Sequence, residues 1–191
     1  MWAACWCVDL NLRICVTSRA TSAAAVYSRV RFFAVNRFSV NSQAPEFIRV
    51  LYNLRERHRG SVATIGTFDG VHLGHQAILR QLNDVSERLN LPSVVILFEP
   101  QPHEYFSRER APARLMRLRE KLEALFAAGV DRVLCLQFNE AFRSLTARQF
   151  IGRVLHDGLG IRHLVVGDDF RFGCDRAGNY DNAFLLMAFC N

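Results

Sequence analysis

The sequence predicts an α/β fold in which a parallel sheet is flanked by helices. From about residue 46 onward, short apolar runs alternate with longer segments whose apolar residues recur every three or four positions. Such alternation is typical of consecutive βαβ units, whose strands pair in parallel. The run SVVILF at 93–98 is apolar without interruption, which predicts a strand covered on both faces.

Four strands are expected in this sheet. The first is SVATIGT at 61–67, a β-branched run that ends in glycine and threonine. SVVILF follows Pro92, RVLCLQF lies at 132–138, and HLVVG lies at 163–167. Short apolar runs bounded by turn residues favour strands over helices.

Three helices are expected between these strands. The apolar residues of the segment 75–89 are spaced by four, three and four positions, which places them on one face of a helix. They are Ile78, Leu82, Val85 and Leu89. The second helix is predicted to stop at Gly129, and its apolar residues are Leu115, Leu118, Leu122, Leu125 and Phe126. The third opens with a capping-box pattern at Thr146 and Gln149, and its buried side is formed by Phe150, Ile151, Val154 and Leu155.

Three connecting segments should lie at one edge of the sheet. In open parallel sheets, ligands bind outside the carboxyl ends of the strands. The segments that follow predicted strands there are 66–75, 99–105 and 167–173. The functional site is therefore expected among them.

Composition argues against nucleic-acid and membrane partners. The formal net charge is +6, but residues 1–45 contribute +4 of it, since five arginines there face one aspartate, and residues 46–191 carry the remaining +2. The chain has a single lysine, Lys121, and no basic stripe interleaved with aromatic residues, so a nucleic-acid groove is not expected. No apolar run approaches the roughly 20 residues that span a bilayer.

Residues 1–45 are interpreted as an atypical N-terminal extension outside the folded domain. They are rich in Cys, Ser, Ala and Arg, and they lack sustained periodicity. An Arg- and Ser-rich stretch poor in acids also suits an organelle transit peptide, which is the alternative interpretation. The six cysteines form no C-x-x-C pair and no regular framework, so a reduced, cytoplasmic protein is expected.

The stretch TIGTFDGVHLGH lies between the first predicted strand and the first predicted helix. This position binds phosphate in many α/β folds. Gly66, Gly70 and Gly74 permit positive φ or a close approach of the backbone to a ligand. The N–H groups at the start of the helix favour an anion, so the stretch is a candidate phosphate-binding loop.

Two histidines of this loop can contribute to the chemistry. His72 and His75 are three residues apart, so on a helix both imidazoles point the same way and can donate hydrogen bonds to developing negative charge. A simple glycine-rich turn and half of a metal site stay open as alternatives, although no third metal ligand is evident nearby. The loop lacks both the G-K-[ST] of a P-loop and the G-x-G-x-x-G of a dinucleotide-binding turn.

GTFDGVHLGH resembles the G-x-F-D-G-x-H-x-G-H motif of bacterial bifunctional riboflavin kinase/FAD synthetases, in their N-terminal FMN adenylyltransferase domain. FEPQPHEYF at 98–106 and GDDFRFG at 167–173 are similar to two further stretches of that family, and the likeness extends from about Phe47 to about Tyr180. The resemblance implies a Rossmann-like nucleotidyltransferase domain. Such a domain transfers the AMP of ATP to the phosphate of FMN, giving FAD and pyrophosphate with Mg²⁺, so ATP and FMN are the implied small-molecule partners.

The resemblance also implies roles for individual residues. His72 and His75 are the implied catalytic residues, which hold the ATP phosphates and stabilise charge at the α-phosphate and the leaving group. The implied ATP-binding loop consists of Gly66, Thr67, Phe68, Asp69, Gly70, His72, Gly74 and His75. The implied flavin or substrate contacts are Phe98, Pro100, Gln101, Pro102, Asp169, Phe170 and Phe172. Asp169 is implied to bind Mg²⁺ or a substrate hydroxyl, and a place in the core is the alternative for Phe170 and Phe172.

The resemblance divides the chain into the extension 1–45, an FMN adenylyltransferase domain over 46–180 that is expected to be incomplete at its C-terminus, and a divergent tail at 181–191. An S-S-T-x-x-R segment after Gly173 and the riboflavin kinase β-barrel of the family are missing from the sequence. Some relatives have histidine where this chain has Gln101. Two alternatives to the adenylyltransferase therefore stay open: a non-catalytic fragment that binds ATP or flavin, and another H-x-G-H nucleotidyltransferase with a different phosphorylated acceptor.

Overall fold

The computed structural model describes residues 44–107, 111–167, 170–174 and 176–179. The strands in these ranges are β1 (Glu46–Arg49), β2 (Ser61–Ile65), β3 (Ser93–Glu99), β4 (Arg132–Gln137) and β5 (Ile161–Val165). The α-helices are α1 (Leu73–Leu89), α2 (Pro102–Phe106), α3 (Leu118–Ala127), α4 (Glu140–Arg143) and α5 (Ala147–Phe150). Short 3₁₀ turns lie at Leu51–Asn53, Glu56–His58 and Asp69–Val71, and a π-helical segment lies at Ile151–His156.

The sheet is entirely parallel, with the strand order β1-β4-β3-β2-β5. β2, β3 and β4 follow one another across the sheet, whereas the connection after β4 returns to place β5 beside β2. The strand order therefore reverses between β2 and β5, and doubly wound sheets bind ligands at the carboxyl ends of the two strands at such a point. The predicted α/β fold, a Rossmann-like parallel sheet flanked by helices, is confirmed.

Helices cover both faces of the sheet. α1 and α3 cover one face, with buried side chains that include Leu79, Leu82 and Leu125. α5 and the π-helical segment cover the other face, with buried side chains that include Phe150 and Val154. β3 lies between these layers and is buried along nearly its whole length, as its uninterrupted apolar run predicted.

The second helix is shorter than predicted. α3 begins at Leu118, and the side chain of Leu115 is 74% exposed instead of lying on the buried face of the helix. The residues before Leu118 are held by backbone hydrogen bonds to Asp69, described below, and these bonds replace a first helical turn. The prediction for Leu115 was therefore wrong.

The third helix opens at the predicted capping box. The Thr146 hydroxyl accepts the N–H of Gln149 at 3.3 Å, and the Gln149 side chain accepts the N–H of Thr146 at 3.0 Å. Beyond Phe150 the helix widens to the π form, which the sequence pattern did not predict. β1, α2 and α4 were also not predicted, since each has only four or five residues and no sustained period.

In the described ranges, no helix is both long and apolar enough to cross a bilayer. Nearly all of the predicted extension 1–45 and the whole tail 181–191 lie outside the described residues.

Candidate functional site

The turn between β2 and α1 contains several left-handed backbone positions. The φ angles are +47° at Phe68, +77° at Gly70 and +37° at Val71. A non-glycine residue rarely adopts such a φ, and holding it there costs about 1–3 kcal/mol. Contacts with the rest of the protein must therefore fix this turn.

Gly66 and Gly70 leave the space that the turn requires. A Cβ at Gly66 would lie 3.0 Å from Cε2 of Phe68, whose ring is buried at the end of β2. A Cβ at Gly70 would lie 2.9 Å from Cδ1 of Leu115. Gly74 lies in the first turn of α1. A side chain at Gly66 would therefore press on the buried ring of Phe68, whereas Gly70 requires glycine for its positive φ, since the exposed Leu115 side chain can move.

Two anchors join the turn to the start of α3. Oδ2 of Asp69 accepts the N–H of Leu115 at 2.9 Å, and Oδ1 accepts the N–H of Met116 at 3.0 Å. From α3 itself, Nζ of Lys121 donates to the carbonyl oxygen of Thr67 at 2.7 Å. The Asp69 carboxylate, expected at the ATP-binding loop, is therefore engaged with protein backbone and holds the loop in shape.

His72 and His75 lie together at the start of α1. His72 is the N-cap residue, and its Nδ1 accepts the N–H of His75 at 3.4 Å. The two imidazole rings stack with centroids 3.7 Å apart and planes 23° apart. The His75 ring also contacts Phe68, with centroids 5.0 Å apart. The structure thus brings the two predicted catalytic side chains into direct contact.

Burial lowers the pKa of His75 to about 4, and its electrostatic interactions with His72 and Lys121 act in the same direction. At neutral pH the imidazole is therefore uncharged and carries a single N–H. Nδ1 of His75 is buried and has no hydrogen-bond partner among the described residues. When the single proton is on Nε2, the buried Nδ1 carries only a lone pair, and the N–H at Nε2 is available to a ligand.

Arg114 ties the carboxyl end of β3 to the turn after β2. Its Nη2 donates to Oε1 of Glu99 at 2.6 Å and to Oε2 of Glu104 at 2.5 Å. These charged hydrogen bonds raise the pKa of Arg114, and the bond from Arg114 lowers the pKa of Glu104. The next residue, Leu115, donates its N–H to Asp69. The segments 66–75 and 99–105, both expected at the functional edge, are therefore linked through the neighbouring residues Arg114 and Leu115.

The side-chain amide of Gln101 is buried. The residue is 1% exposed, and neither Nε2 nor Oε1 has a partner among the described residues. Its backbone is satisfied, since its N–H donates to Oε2 of Glu104 at 2.9 Å and its carbonyl accepts the N–H groups of Glu104 and Tyr105. An unpaired buried donor or acceptor costs about 1–3 kcal/mol. The amide, between the exposed Pro100 and the buried Pro102, is therefore a candidate ligand contact.

The predicted aromatic contacts differ in their surroundings. Phe98 and Phe172 are 6% and 1% exposed and belong to the hydrophobic core. Phe170 is half-buried and stacks on Phe172 with ring centroids 5.6 Å apart. The core interpretation thus fits Phe172, whereas Phe170 keeps accessible surface for a ligand. Asp169 lies outside the described residues.

The described ranges contain no group of three or more His, Cys, Asp or Glu residues arranged to hold a metal ion. Asp69 is engaged by two backbone N–H groups, and Glu99 and Glu104 are engaged by Arg114. These carboxylates do not fit Mg²⁺, which takes oxygen ligands in octahedral geometry. The implied role of Asp169 as the metal ligand stays a prediction.

Lys121 is the residue of this site that the sequence reasoning missed. It lies three residues after Leu118 and four before Leu125, on the buried side of α3, and it is 4% exposed. Lysine is rarely buried without a partner. A single lysine at an apolar position of an amphipathic helix was the signal that could have revealed it.

The arrangement as a whole suits an anionic ligand. The positive ends of backbone dipoles at the start of α1, two imidazoles and a buried ammonium group lie around one turn at the carboxyl end of β2. Helix starts and successive turn N–H groups attract phosphate. This turn follows β2, at the point where the strand order reverses.

A family model described as FAD synthetase matches residues 54–188 of the chain. The chain is 58% identical over 146 residues to the "Bifunctional riboflavin kinase/FMN adenylyltransferase" of Pseudomonas fluorescens, a match that covers 76% of this chain and 46% of the relative. It is 51% identical over 143 residues to the protein of the same description from Escherichia coli K12, covering 74% and 44%. The corresponding protein of Haemophilus influenzae is 48% identical over 135 residues, covering 71% and 44%. The chain thus spans less than half the length of these curated relatives.

Among solved structures, the chain is similar to one described as "Crystal Structure of Macrolide-efflux Protein from Streptococcus pneumoniae", with a TM-score of 0.63 and 26% identity. This match covers 73% of the chain and 46% of that protein. The range matched by the family model includes every site residue described above.

Proposed function

The chain belongs to the FAD synthetase family, and we propose that its residues 46–180 form an FMN adenylyltransferase domain. The domain transfers the AMP of ATP to FMN and produces FAD and pyrophosphate. The observation that carries this proposal is the stacked pair of His72 and His75 at the start of α1, beside a strained turn whose surroundings suit an anion.

In the proposed reaction, a phosphate oxygen of FMN attacks the α-phosphorus of ATP. One P–O bond forms to FMN, the bond from the α-phosphorus to the bridging oxygen of the β-phosphate breaks, and its electron pair leaves with pyrophosphate. FMN supplies the nucleophile, so the protein has to position the two phosphates and stabilise the charge that shifts between them.

The imidazoles are proposed to provide part of that stabilisation. Neutral His75 donates its N–H to an oxygen on which negative charge accumulates, and His72, whose Nδ1 accepts a backbone N–H, has its other ring nitrogen available to donate. Mg²⁺, when bound with ATP, neutralises phosphate charge, with Asp169 as the proposed side-chain ligand. The backbone of the turn from Gly66 to Gly74 is proposed to enclose the phosphates.

We place the flavin at the carboxyl end of β3, beside Pro100, Gln101 and Pro102, with Phe170 as a further contact. The isoalloxazine ring has an imide edge on which an N–H lies between two carbonyl oxygens. A carboxamide offers the complementary donor and acceptor. The buried, unpaired amide of Gln101 supports this assignment, because such a ligand would satisfy both of its polar atoms.

Replacing Gln101 by methionine is expected to have opposite effects on stability and on flavin binding. The substitution keeps the length of the side chain and removes two unpaired buried groups, so the free energy of unfolding should rise by about 2 kcal/mol. The affinity for riboflavin should fall about tenfold, since two hydrogen bonds of about 0.7 kcal/mol each are lost. Urea unfolding and quenching of riboflavin fluorescence measure the two quantities.

Gln137, exposed at the end of β4, provides the matched control. Gln137→Met should leave both quantities unchanged. Tight riboflavin binding by a destabilised Gln101→Met chain would contradict the assignment of the amide to the flavin.

The proposed activity is tested with the purified chain, ATP, Mg²⁺ and FMN. FAD and pyrophosphate should form in equal amounts, and riboflavin should not be adenylylated because it lacks the phosphate nucleophile. Binding of ATP and FMN without FAD formation would favour the non-catalytic fragment. Adenylylation of another phosphorylated acceptor while FMN is refused would favour a different H-x-G-H nucleotidyltransferase.

We place this reaction in the cytoplasm, with small molecules as the partners. The described cysteines, Cys135 and Cys174, are free thiols, which suits a reducing compartment. The alternative of organelle import finds no support, since the relatives named above are bacterial.

A further inference from the structure

Lys121 holds a buried ammonium group against the turn between β2 and α1. The residue is 4% exposed, and Nζ donates to the carbonyl oxygen of Thr67 at 2.7 Å. Within the described ranges this is the only hydrogen bond of the ammonium group, which has three N–H donors. Burial of a charge with so few partners is costly. The stability of the fold alone therefore gives little reason for a lysine at this position.

The acidic groups around Lys121 are already engaged. Burial lowers the pKa of Lys121, although the charges of Asp69 and Glu99 oppose this shift. Asp69 accepts two backbone N–H groups, and Glu99 accepts hydrogen bonds from Arg114. In the described part of the chain, no carboxylate lies within ion-pair distance of Lys121. The ammonium group therefore has the capacity to attract a further anion.

The hydrogen bond from Lys121 also fixes the direction of the peptide between Thr67 and Phe68. In a trans peptide the C=O and N–H groups point in opposite directions, so the N–H of Phe68 points away from Lys121. Within the described ranges, no backbone carbonyl accepts this N–H. Phe68 and Gly70, which lie just after this peptide bond in the chain, have positive φ values. Turns of this kind present N–H groups to anions.

We propose that Lys121 is a positioning residue for the phosphates of the nucleotide. It holds the Thr67–Phe68 peptide so that the N–H of Phe68 is available to the anion, and it places a buried positive charge next to the turn. The inference deepens the proposed function and rests on it for the identity of the nucleotide. It assigns a role to a residue of α3, distant in sequence from the loop that it serves.

The proposal is tested by replacing Lys121 with methionine, which keeps most of the side-chain volume and removes the charge. The affinities for inorganic pyrophosphate and for ATP, measured by calorimetry, should fall about tenfold or more, while riboflavin binding stays within about twofold of the wild type. The NMR titration of His75 should move towards its ordinary range, because Lys121 is one of the charges that depress its pKa. A purely structural role would not produce this selectivity.

Two further variants make the result specific. Lys121→Arg retains the charge and should keep pyrophosphate affinity within about threefold of the wild type. Arg119→Met removes an exposed cation from the same helix, where Arg119 pairs with Glu123 at 3.1 Å, and should change neither affinity. If Lys121→Met is unfolded at the assay temperature, Lys121→Gln, which can still donate to Thr67, takes its place with a smaller expected loss, because only the charge is then removed.

A folded, uncharged variant that binds pyrophosphate as tightly as the wild type would overturn the proposal. So would equal losses of pyrophosphate and riboflavin binding, or a wild-type chain that binds neither pyrophosphate nor ATP. A wild type that binds pyrophosphate but forms no FAD would contradict only the proposed function. The two failures are therefore distinguished by binding measurements that do not depend on turnover.

Discussion

Replacing His75 by alanine is expected to lower the rate of FAD formation about 100- to 1,000-fold, the usual effect of removing one donor to a developing oxyanion. His75 stacks on His72, contacts Phe68 and is uncharged at neutral pH, so its ring is held in place as a neutral donor. The loss should appear mainly in kcat, because the charge that the ring stabilises increases in the transition state.

His156 gives a matched control for this substitution. It lies in the π-helical segment on the opposite side of the sheet and contacts Asp157 at 2.8 Å. His156→Ala should leave the rate of FAD formation within about twofold of the wild type, since surface substitutions of this kind change little. Equal rates of FAD formation by His75→Ala and His156→Ala would show that His75 is not a catalytic residue.

The same residue makes stability depend on pH in a predictable direction. The pKa of His75 is about 4 in the folded chain and about 6.5 when unperturbed, so the unfolded chain takes up the proton first as the pH falls. The unfolded state is therefore favoured progressively from pH 6.5 to pH 4. Between pH 7 and pH 5, the wild type should lose more free energy of unfolding than His75→Ala. Urea unfolding of both proteins at the two pH values measures this, and equal losses would contradict the depressed pKa.

Replacing Gly70 by alanine is expected to lower the free energy of unfolding by about 1–2 kcal/mol, because alanine would have to adopt a φ of +77°. The clash of its Cβ with Cδ1 of Leu115, 2.9 Å away, adds little, since this side chain is 74% exposed and can move. Because the strain acts on the turn between β2 and α1, the affinity for ATP should also fall. Chemical denaturation and calorimetric titration with ATP measure the two effects.

Gly152 separates the strain at Gly70 from the general effect of adding a methyl group. It lies in the π-helical segment, and a Cβ there would have no neighbour within 4 Å. Gly152→Ala should stabilise the chain by about 0.5–1 kcal/mol. Combining Gly70→Ala with Leu115→Ala should recover only the part of the loss that is due to the clash. Full recovery, or no loss in Gly70→Ala itself, would show that the positive φ carries no cost.

The fold could be predicted from the sequence wherever periodicity was long enough to be distinctive. β2, β3, β4 and β5 lie within two residues of their predicted bounds, because their apolar runs are continuous and flanked by turn residues. β1 escaped prediction since it has four residues and occupies the edge of the sheet, where only Ile48 is fully buried. Leu115 was misassigned because its spacing fits a helix whose first turn is replaced by contacts to Asp69.

The site was predictable where its residues are local in sequence. The contact between His72 and His75 follows from their spacing at the start of α1, and the need for glycine at Gly70 follows from the turn. The roles of Asp69 and Lys121 depend on residues more than 40 positions away, and no local pattern contains that information. Likewise, the unpaired amide of Gln101 is a property of its surroundings in three dimensions.

The anchoring of the turn to α3 also determines how this part of the molecule moves. Connections between elements usually open locally at small cost, independently of the helices beside them. Here Thr67 and Asp69 are bound to Lys121, Leu115 and Met116, so three hydrogen bonds must break before the turn opens. These bonds restrain the turn before any ligand arrives. Less conformational entropy is then lost when an anion binds.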